Sequence, residues 1–300
     1  MRDSRSLRTS RLSVVAPCFN EEAGLAEFVR RVKAVCAALP CAGYELVLVN
    51  DGSRDRTLAI ALELAATDPC VRVVNLLRNF GHQAAATAGL DLTASDIVVL
   101  IDADLQDPPE LIPEMAAQWE AGADVAYGQR RTRTGESPMK LATAGLFYRV
   151  LGRMTKTKIP ADTGDFRLMD RRIVDALRQM RERHRFIRGM VSWVGGRQVA
   201  VVYDREPRFA GETKYRLRKM ISFALDAITS FSVVPLRLVT LLALTIIVLA
   251  TLATATVFIV KLVNPGYFIP GFPATMLTII FFGGVQLLAL GVIGEYIGRM

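Results

Sequence analysis

The stretch VVLIDADLQDPPE, from Val98 to Glu110, runs from four apolar residues directly into three aspartates and two prolines. A short apolar run bounded by turn residues is typical of a buried strand. Asp102, Asp104 and Asp107 then follow the end of that strand. In parallel α/β sheets, ligands bind outside the carboxyl ends of the strands. The stretch therefore predicts an α/β protein with an acidic ligand site at one edge of its sheet.

The chain before residue 131 alternates strand and helix patterns. Apolar runs predict strands at 12–16, 45–50, 71–76, 97–101 and 125–127, and helical spacing predicts helices at 22–38, 56–66 and 82–92. This alternation predicts a Rossmann-like, mainly parallel sheet with helices on both faces. Polar clusters follow four of the strands, and we expect them to meet at one edge: Asn20-Glu21-Glu22, Asn50-Asp51-Gly52-Ser53, Arg78-Asn79-Phe80-Gly81 and Asp102-Ala103-Asp104.

The C-terminal part contains two runs without a charged residue, at 238–260 and 274–294. Each is long enough to cross a hydrocarbon core of about 30 Å, although buried core helices are an alternative. A short segment rich in Pro and Gly joins them. Basic residues precede the first run: Arg205, Arg208, Lys214, Arg216, Arg218, Lys219 and Arg237. The positive-inside bias then predicts a multi-pass protein of the inner (cytoplasmic) membrane with its N-terminal part in the cytoplasm.

Three regions follow from this pattern: a cytosolic catalytic domain at 1–204, juxtamembrane interfacial helices at 205–235 and a two-helix transmembrane hairpin at 236–300. Charges cluster at the start of segment 216–234 and apolar residues recur along it, which favours an interfacial helix over a core helix. The net charge of +8 is concentrated toward the membrane end, so anionic lipid rather than nucleic acid is the expected partner.

Several site classes are excluded by missing motifs. The sequence has no G-x-G-x-x-G after the first strand, no G-x-x-x-x-G-K-[ST] and no G-x-S-x-G. Its four cysteines have no C-x-x-C spacing and are interpreted as reduced packing residues. What remains is carboxylates. An Asp-x-Asp at a strand exit offers hard oxygen ligands of the kind that hold Mg²⁺ or Mn²⁺ together with substrate phosphates.

The longer motifs are more specific. PCFNEE, VNDGS, RNFGHQAAATAGL and DADLQDPPE, in this order, resemble the family 2 glycosyltransferases of the GT-A fold. TGDFRLMDRR, SWVGG, the segment 210–238, the two apolar runs and GEYIGR resemble the polyisoprenyl-phosphate glycosyltransferases, above all the bactoprenol (undecaprenyl-phosphate) glucosyltransferases. The resemblance covers nearly the whole chain.

The resemblance implies transfer of a sugar from a nucleotide sugar to a polyprenyl phosphate, with inversion at the anomeric carbon. The expected donor is UDP-glucose, and UDP-N-acetylglucosamine, GDP-mannose and UDP-amino-arabinose derivatives are the alternatives. It also implies a homo-oligomer, a tetramer. Two other classes of protein are alternatives. A sugar-phosphate nucleotidyltransferase needs a Gly-rich phosphate loop after the first strand, and PCFNEE is not such a loop. A non-enzymatic sensor of nucleotide sugars would not need the Asp-x-Asp, which is present here.

Donor-site residues are implied by position. Those expected at the base or ribose are Pro17, Phe19, Glu21 and Asp51, with Asp102 near the ribose and diphosphate and Arg78 and Gly81 in the nucleotide-side loop. The implied metal ligands are Asp104 and Gln106, and Asp104 is counted as catalytic.

The acceptor phosphate is an anion that must approach an anionic diphosphate. Two unit charges about 5 Å apart at an effective dielectric near 20 repel by roughly 3 kcal/mol. Cations are therefore required, and arginine or lysine can supply them beside the metal. Arg130 and Lys140 match the family's acceptor-phosphate positions, and Arg167 is a third candidate. Asp165 would approach the sugar or the acceptor, either as a positioning residue or as a general base.

Overall fold

A computed structural model describes residues 5–131, 163–180, 182, 185–204, 234–263 and 272–297. The chain divides into two compact units. The first comprises residues 1–149, 157–181 and 185–220 and contains a mixed α/β sheet. The second comprises residues 150–156, 182–184 and 221–300 and contains two long helices. The predicted domain boundaries after residues 204 and 235 stay predictions.

The described part of the first unit contains seven strands and six α-helices. The strands are β1 (Arg11–Cys18), β2 (Gly43–Asn50), β3 (Val71–Asn75), β4 (Ile97–Leu100), β5 (Val125–Arg130), β6 (Thr163–Asp170) and β7 (Gln198–Tyr203). The helices are α1 (Leu25–Ala38), α2 (Thr57–Thr67), α3 (His82–Leu92), α4 (Ile112–Glu120), α5 (Arg171–Gln179) and α6 (Ile187–Val194). Short 3-10 turns lie at Leu7–Thr9 and Pro109–Leu111.

The sheet has the order β3-β2-β1-β4-β6-β5-β7. Neighbouring strands are parallel except where β6 pairs antiparallel with β4 and with β5. The predicted mainly parallel α/β sheet is therefore confirmed, with β6 as its one antiparallel strand among the described residues. Because β6 runs in the opposite direction, its first residues lie at the edge where β1 to β5 end.

Helix α3 lies unusually close to the sheet. A Cβ atom added at Gly89 would lie 2.3 Å from Val15 Cγ1 and 3.0 Å from Val49 Cγ2. No real side chain tolerates the shorter distance, so glycine permits the close approach of helix and strands. Val15 and Val49 are themselves fully buried in β1 and β2. This packing fixes α3 with its first residue, His82, at the edge where the strands end.

The second unit contains helices α7 (Val234–Val263) and α8 (Phe272–Ile297). Judged by length and apolar character together, none of the helices in the described residues could cross a membrane. The prediction of two transmembrane helices therefore has no support from the structure. Most of the predicted interfacial helix, up to residue 233, lies outside the described residues.

Candidate active site

The loops that follow β1 and β2 brace each other. The amide of Asn20 donates to Ser53 Oγ at 3.0 Å, and the amide of Glu21 donates to Thr57 Oγ1 at 2.8 Å. Asn20 Oδ1 accepts from the amide of Arg54 at 2.9 Å. Asn20 has a φ of 56°, a left-handed conformation that Asn tolerates better than most residues. The first two polar clusters of the sequence therefore meet at one edge, as predicted.

The residues predicted at the base and ribose lie along this edge. Pro17 is opposite Val49 in the β1–β2 ladder, and Phe19 and Glu21 follow the end of β1, partly exposed. The structure thus groups them with the β2 exit. Their contacts with a nucleotide stay predictions.

Asp51 holds the loop that leads into α3. Its carboxylate is buried and accepts from the amides of Phe80 at 2.7 Å and Gly81 at 3.0 Å. Gly52 has a φ of 63°, and a Cβ atom there would lie 2.4 Å from the carbonyl carbon of Arg78. The Arg78 guanidinium stacks 4.1 Å above the Phe80 ring. Both oxygens of Asp51 are therefore engaged in shaping the nucleotide-side loop, and its predicted contact with the base or ribose stays a prediction.

The Asp-x-Asp turn is held by an unusual backbone. Leu105 has a φ of 57°, which costs a non-glycine residue roughly 1–2 kcal/mol. Its side chain is buried in the hydrophobic core, which offsets that cost. The Gln106 amide donates to Asp104 Oδ1 at 3.2 Å. The buried leucine thus brings the side chains of Asp104 and Gln106 onto one tight turn outside β4.

The donor set of this turn fits a hard divalent cation. Among the described residues, no three His, Cys, Asp or Glu side chains cluster closely enough to hold a metal by themselves. Mg²⁺ is usually held by only one or two carboxylates, with waters and substrate phosphates completing its shell. The Asp104 carboxylate and the Gln106 amide oxygen are such ligands, so these residues fit a metal shared with a diphosphate.

Asp165, near the start of β6, is the centre of a charged cluster. Its Oδ2 lies 3.1 Å from His82 Nε2 and accepts from Gln83 Nε2 at 3.0 Å. Its Oδ1 accepts from Arg188 Nη2 at 3.4 Å. His82 Nε2 also lies 3.4 Å from Asp102 Oδ1. Residues from β4, α3, β6 and α6 therefore converge at one point.

The cluster fixes the charges of its members. Burial raises the pKa of Asp165, but the positive charges of Arg188, His82 and Arg167 outweigh it and hold that pKa far below its usual range. Burial lowers the pKa of His82, but the charge of Asp102 and the hydrogen bond to Asp165 raise it to about 9. A carboxylate so strongly stabilised in its ionised form is a weak base. The geometry favours a positioning role for Asp165 over the general-base alternative.

Arg167 is buried within its own strand. Its Nη2 donates to the Gly164 carbonyl at 3.0 Å and its Nε to the Asp165 carbonyl at 3.3 Å. Burial lowers its pKa to about 10. Its guanidinium therefore holds the start of β6, which carries Asp165, and contact with an acceptor phosphate stays a prediction.

Arg130, at the end of β5, lies in a second cluster. Its Nη2 donates to Asp107 Oδ1 at 3.4 Å and its Nε to the Tyr203 hydroxyl at 3.4 Å, and that hydroxyl donates to Asp107 Oδ1. A Cβ atom at Gly164 would lie 3.1 Å from Arg130 Nη2. Arg130 thus lies beside the residue that precedes Asp165. The other predicted acceptor-site residue, Lys140, lies outside the described residues.

Five residues of the site were not predicted from the sequence: His82, Gln83, Gly164, Arg188 and Tyr203. His82 and Gln83 stand in the quoted motif RNFGHQ, directly after Gly81, so their position at a helix start was a usable signal. Arg188 and Tyr203 carry no motif of their own. Arg188 lies on α6 and Tyr203 ends β7, so only the fold brings them to this edge.

Curated relatives cover nearly the whole chain. An uncharacterized glycosyltransferase of Synechocystis sp. is 49% identical over 97% of this chain and 91% of its own length. The bactoprenol glucosyl transferase of Shigella phage SfX is 41% identical over 97% and 94%. A prophage bactoprenol glucosyl transferase homolog of Escherichia coli is 40% identical over 96% and 94%.

Solved structures share the fold at low identity. Glucosyl-3-phosphoglycerate synthase from Mycobacterium tuberculosis, in complex with Mn²⁺, UDP-glucose and phosphoglyceric acid, superposes with a TM-score of 0.53 at 19% identity. The match covers 73% of this chain and 78% of that one. This likeness shows a common GT-A-like architecture.

The model of glycosyl transferase family 2 matches residues 13–178, from β1 to the end of α5. That range includes every donor-side residue, the Asp-x-Asp turn and Asp165. With relatives above 40% identity over almost the full length, the assignment no longer depends on motifs alone. The chain belongs to glycosyl transferase family 2 and is a glycosyltransferase.

Proposed function

We propose that this glycosyltransferase moves glucose from UDP-glucose onto a polyprenyl phosphate such as undecaprenyl phosphate. The observation that carries the proposal is the near full-length similarity to proteins named bactoprenol glucosyl transferases. Bactoprenol is a polyprenyl lipid, so the name indicates both the sugar and the acceptor class. The non-enzymatic sensor and the nucleotidyltransferase have no comparable support.

The reaction is a direct displacement. An oxygen of the lipid phosphate attacks the anomeric carbon, the bond from that carbon to the diphosphate oxygen breaks, and UDP leaves with the electron pair. Attack opposite the leaving group inverts the anomeric carbon. The lipid phosphate is already ionised at neutral pH, so no side chain has to remove a proton. This agrees with the depressed pKa of Asp165.

The residues divide between the two substrates. Asp104 and Gln106 would hold Mg²⁺ or Mn²⁺, which supplies positive charge to the leaving diphosphate. Arg130, oriented by Asp107 and Tyr203, binds the acceptor phosphate and lowers its repulsion from the donor. Asp165 orients the sugar, because four side chains hold its carboxylate in place.

Attachment to the membrane is part of the proposal and rests on the sequence and on apolar exposure. The uncharged runs 238–260 and 274–294 lie within α7 and α8. Large apolar side chains of both helices are more than half exposed, among them Leu241, Leu249, Leu252, Ile279, Leu287 and Leu290. Exposed apolar surface of this extent marks contact with a membrane or with another protein. We place the enzyme at the inner membrane with its catalytic unit in the cytoplasm, as a homo-oligomer.

A donor panel tests the proposal. Purified enzyme in detergent receives undecaprenyl phosphate, MnCl₂ and one labelled donor at a time: UDP-glucose, UDP-N-acetylglucosamine, GDP-mannose or a UDP-amino-arabinose derivative. We expect label in the lipid fraction with UDP-glucose and at most traces with the others. Transfer from another donor alone would replace glucose, and no lipid label from any donor would refute the acceptor class.

A further inference from the structure

Two carboxylates lie close together beyond the end of β4. The β4–β6 ladder ends with Leu100 opposite Arg167. Asp102 follows two residues after Leu100, and Asp165 lies two residues before Arg167 in β6. Both carboxylates lie within 3.4 Å of one imidazole nitrogen, so their like charges repel each other. A cation between them reduces that repulsion.

His82 lies between the two carboxylates. Its Nε2 is 3.1 Å from Asp165 Oδ2 and 3.4 Å from Asp102 Oδ1. Asp102 Oδ1 is buried and makes no hydrogen bond within the described part of the chain. The imidazole forms an ion pair with this oxygen, and the charge of Arg167 also acts on Asp102.

The position of His82 is fixed from both sides. It is the first residue of α3, directly after Gly81, whose amide donates to Asp51. The next residue, Gln83, donates to Asp165 Oδ2, and its Oε1 accepts from the amide of Ile187 at 2.8 Å. The loop geometry therefore leaves the ring little freedom to leave the carboxylates.

We propose that His82 is a positioning residue of this glycosyltransferase, which holds Asp102 on the nucleotide side and Asp165 on the sugar side in one cluster. The proposal rests on the proposed function for the identities of the donor and the acceptor. The raised pKa of His82, about 9, is consistent with a positive ring at neutral pH. Because Asp102 is placed at the nucleotide of the donor and Asp165 at its transferred sugar, loss of the bridge affects both donor binding and turnover.

The test uses His82→Ala, His82→Gln and, as matched control, Leu92→Ala at the exposed end of the same helix. The full-length enzyme in detergent is titrated with UDP and MnCl₂ in a calorimeter, and kcat and KM are measured with UDP-glucose and undecaprenyl phosphate. We expect His82→Ala to weaken UDP and to lower kcat, each by about tenfold or more, as for a lost charge-assisted contact. His82→Gln, which keeps a hydrogen-bond donor, should recover part of the UDP affinity and part of kcat. Leu92→Ala should match the wild type in both.

A double-mutant cycle separates positioning from general structure. In an Asp165→Asn background the opposing charge is gone, so His82→Ala should cost clearly less than in the wild type. Equal losses in both backgrounds, or wild-type UDP affinity and kcat in His82→Ala, would overturn the proposal. If the wild type makes no glucosylated lipid, the proposed acceptor fails, and the cycle in UDP affinity still decides the role of His82.

Discussion

Replacing Arg130 by alanine should separate acceptor use from donor binding. Arg130 is held by Asp107 and Tyr203 beside Gly164, and its side chain is 22% exposed. The Asp107 side chain is only 1% exposed. The mutation would remove two effects together: the proposed attraction of the acceptor phosphate and the partial neutralisation of a buried carboxylate.

The two effects are similar in magnitude but are measured separately, one as turnover and the other as stability. A charge-assisted contact with the phosphate contributes about 1.5–3 kcal/mol. Since about 1.4 kcal/mol corresponds to tenfold in rate, turnover should fall by a factor of about 10 to 100. In the Arg130→Ala variant, Asp107 still accepts the hydrogen bond from the Tyr203 hydroxyl. The Arg130–Asp107 ion pair that is lost is long, at 3.4 Å. The free energy of unfolding should therefore fall by only about 1–3 kcal/mol.

The assay compares three variants with the wild type. Arg130→Lys keeps the charge but loses the planar fork and should recover part of the turnover. Arg131→Ala removes the adjacent arginine, whose ion pair with Asp204 is largely exposed at 63% and 67%, and should leave turnover and melting temperature unchanged. For Arg130→Ala, UDP affinity by calorimetry should stay within about twofold of the wild type.

One result would contradict the proposed role of Arg130. If Arg130→Ala weakens UDP and leaves the kinetics toward undecaprenyl phosphate unchanged, Arg130 belongs to the donor site. The acceptor phosphate would then have to lie elsewhere along the edge of the sheet.

Three further predictions concern the metal, the loop and the membrane. Asp104→Asn should abolish transfer without changing the melting temperature, and EDTA should do the same to the wild type until Mg²⁺ or Mn²⁺ is added; full turnover in EDTA would exclude the metal. Gly52→Ala should lower the free energy of unfolding by about 1–3 kcal/mol, measured by denaturant titration, because its Cβ would overlap the backbone of Arg78; a wild-type midpoint would contradict that packing. The full-length protein should sediment with the membrane fraction and be released by detergent but not by high salt, whereas protein that stays in the supernatant would exclude attachment to the membrane.

Strands β1, β2 and β4 were predictable because they are apolar and largely buried, whereas the parallel strand β7 was not predicted. Predicted helix 82–92 coincides with α3, and the strand predicted at 97–101 differs from β4 by one residue. Such segments carry a periodic signal strong enough to outweigh local ambiguity. The exits of β1 to β4 then followed from topology alone, which is why the Asp-x-Asp turn was located correctly.

Strand β6 was not predicted because its sequence, TGDFRLMD, resembles a loop. All eight residues are buried, including Asp165, Arg167 and Asp170. Their charges are neutralised by partners from other parts of the chain, such as His82 and Arg188. The hydropathy pattern of a sequence does not show which distant residues form ion pairs. For the same reason the charged cluster around Asp165 could not be derived from spacing. Its members are up to 83 residues apart in sequence from Asp165.

The most direct test of the account is the mass of the lipid product. Full-length enzyme is incubated with undecaprenyl phosphate, MnCl₂ and UDP-glucose labelled with ¹³C at every glucose carbon, and the extracted lipid is analysed by mass spectrometry beside an Asp104→Asn control. We expect a new lipid heavier than undecaprenyl phosphate by one labelled anhydroglucose unit, formed only by the wild type. Release of UDP with labelled free glucose and unchanged lipid, or the same product from Asp104→Asn, would contradict it.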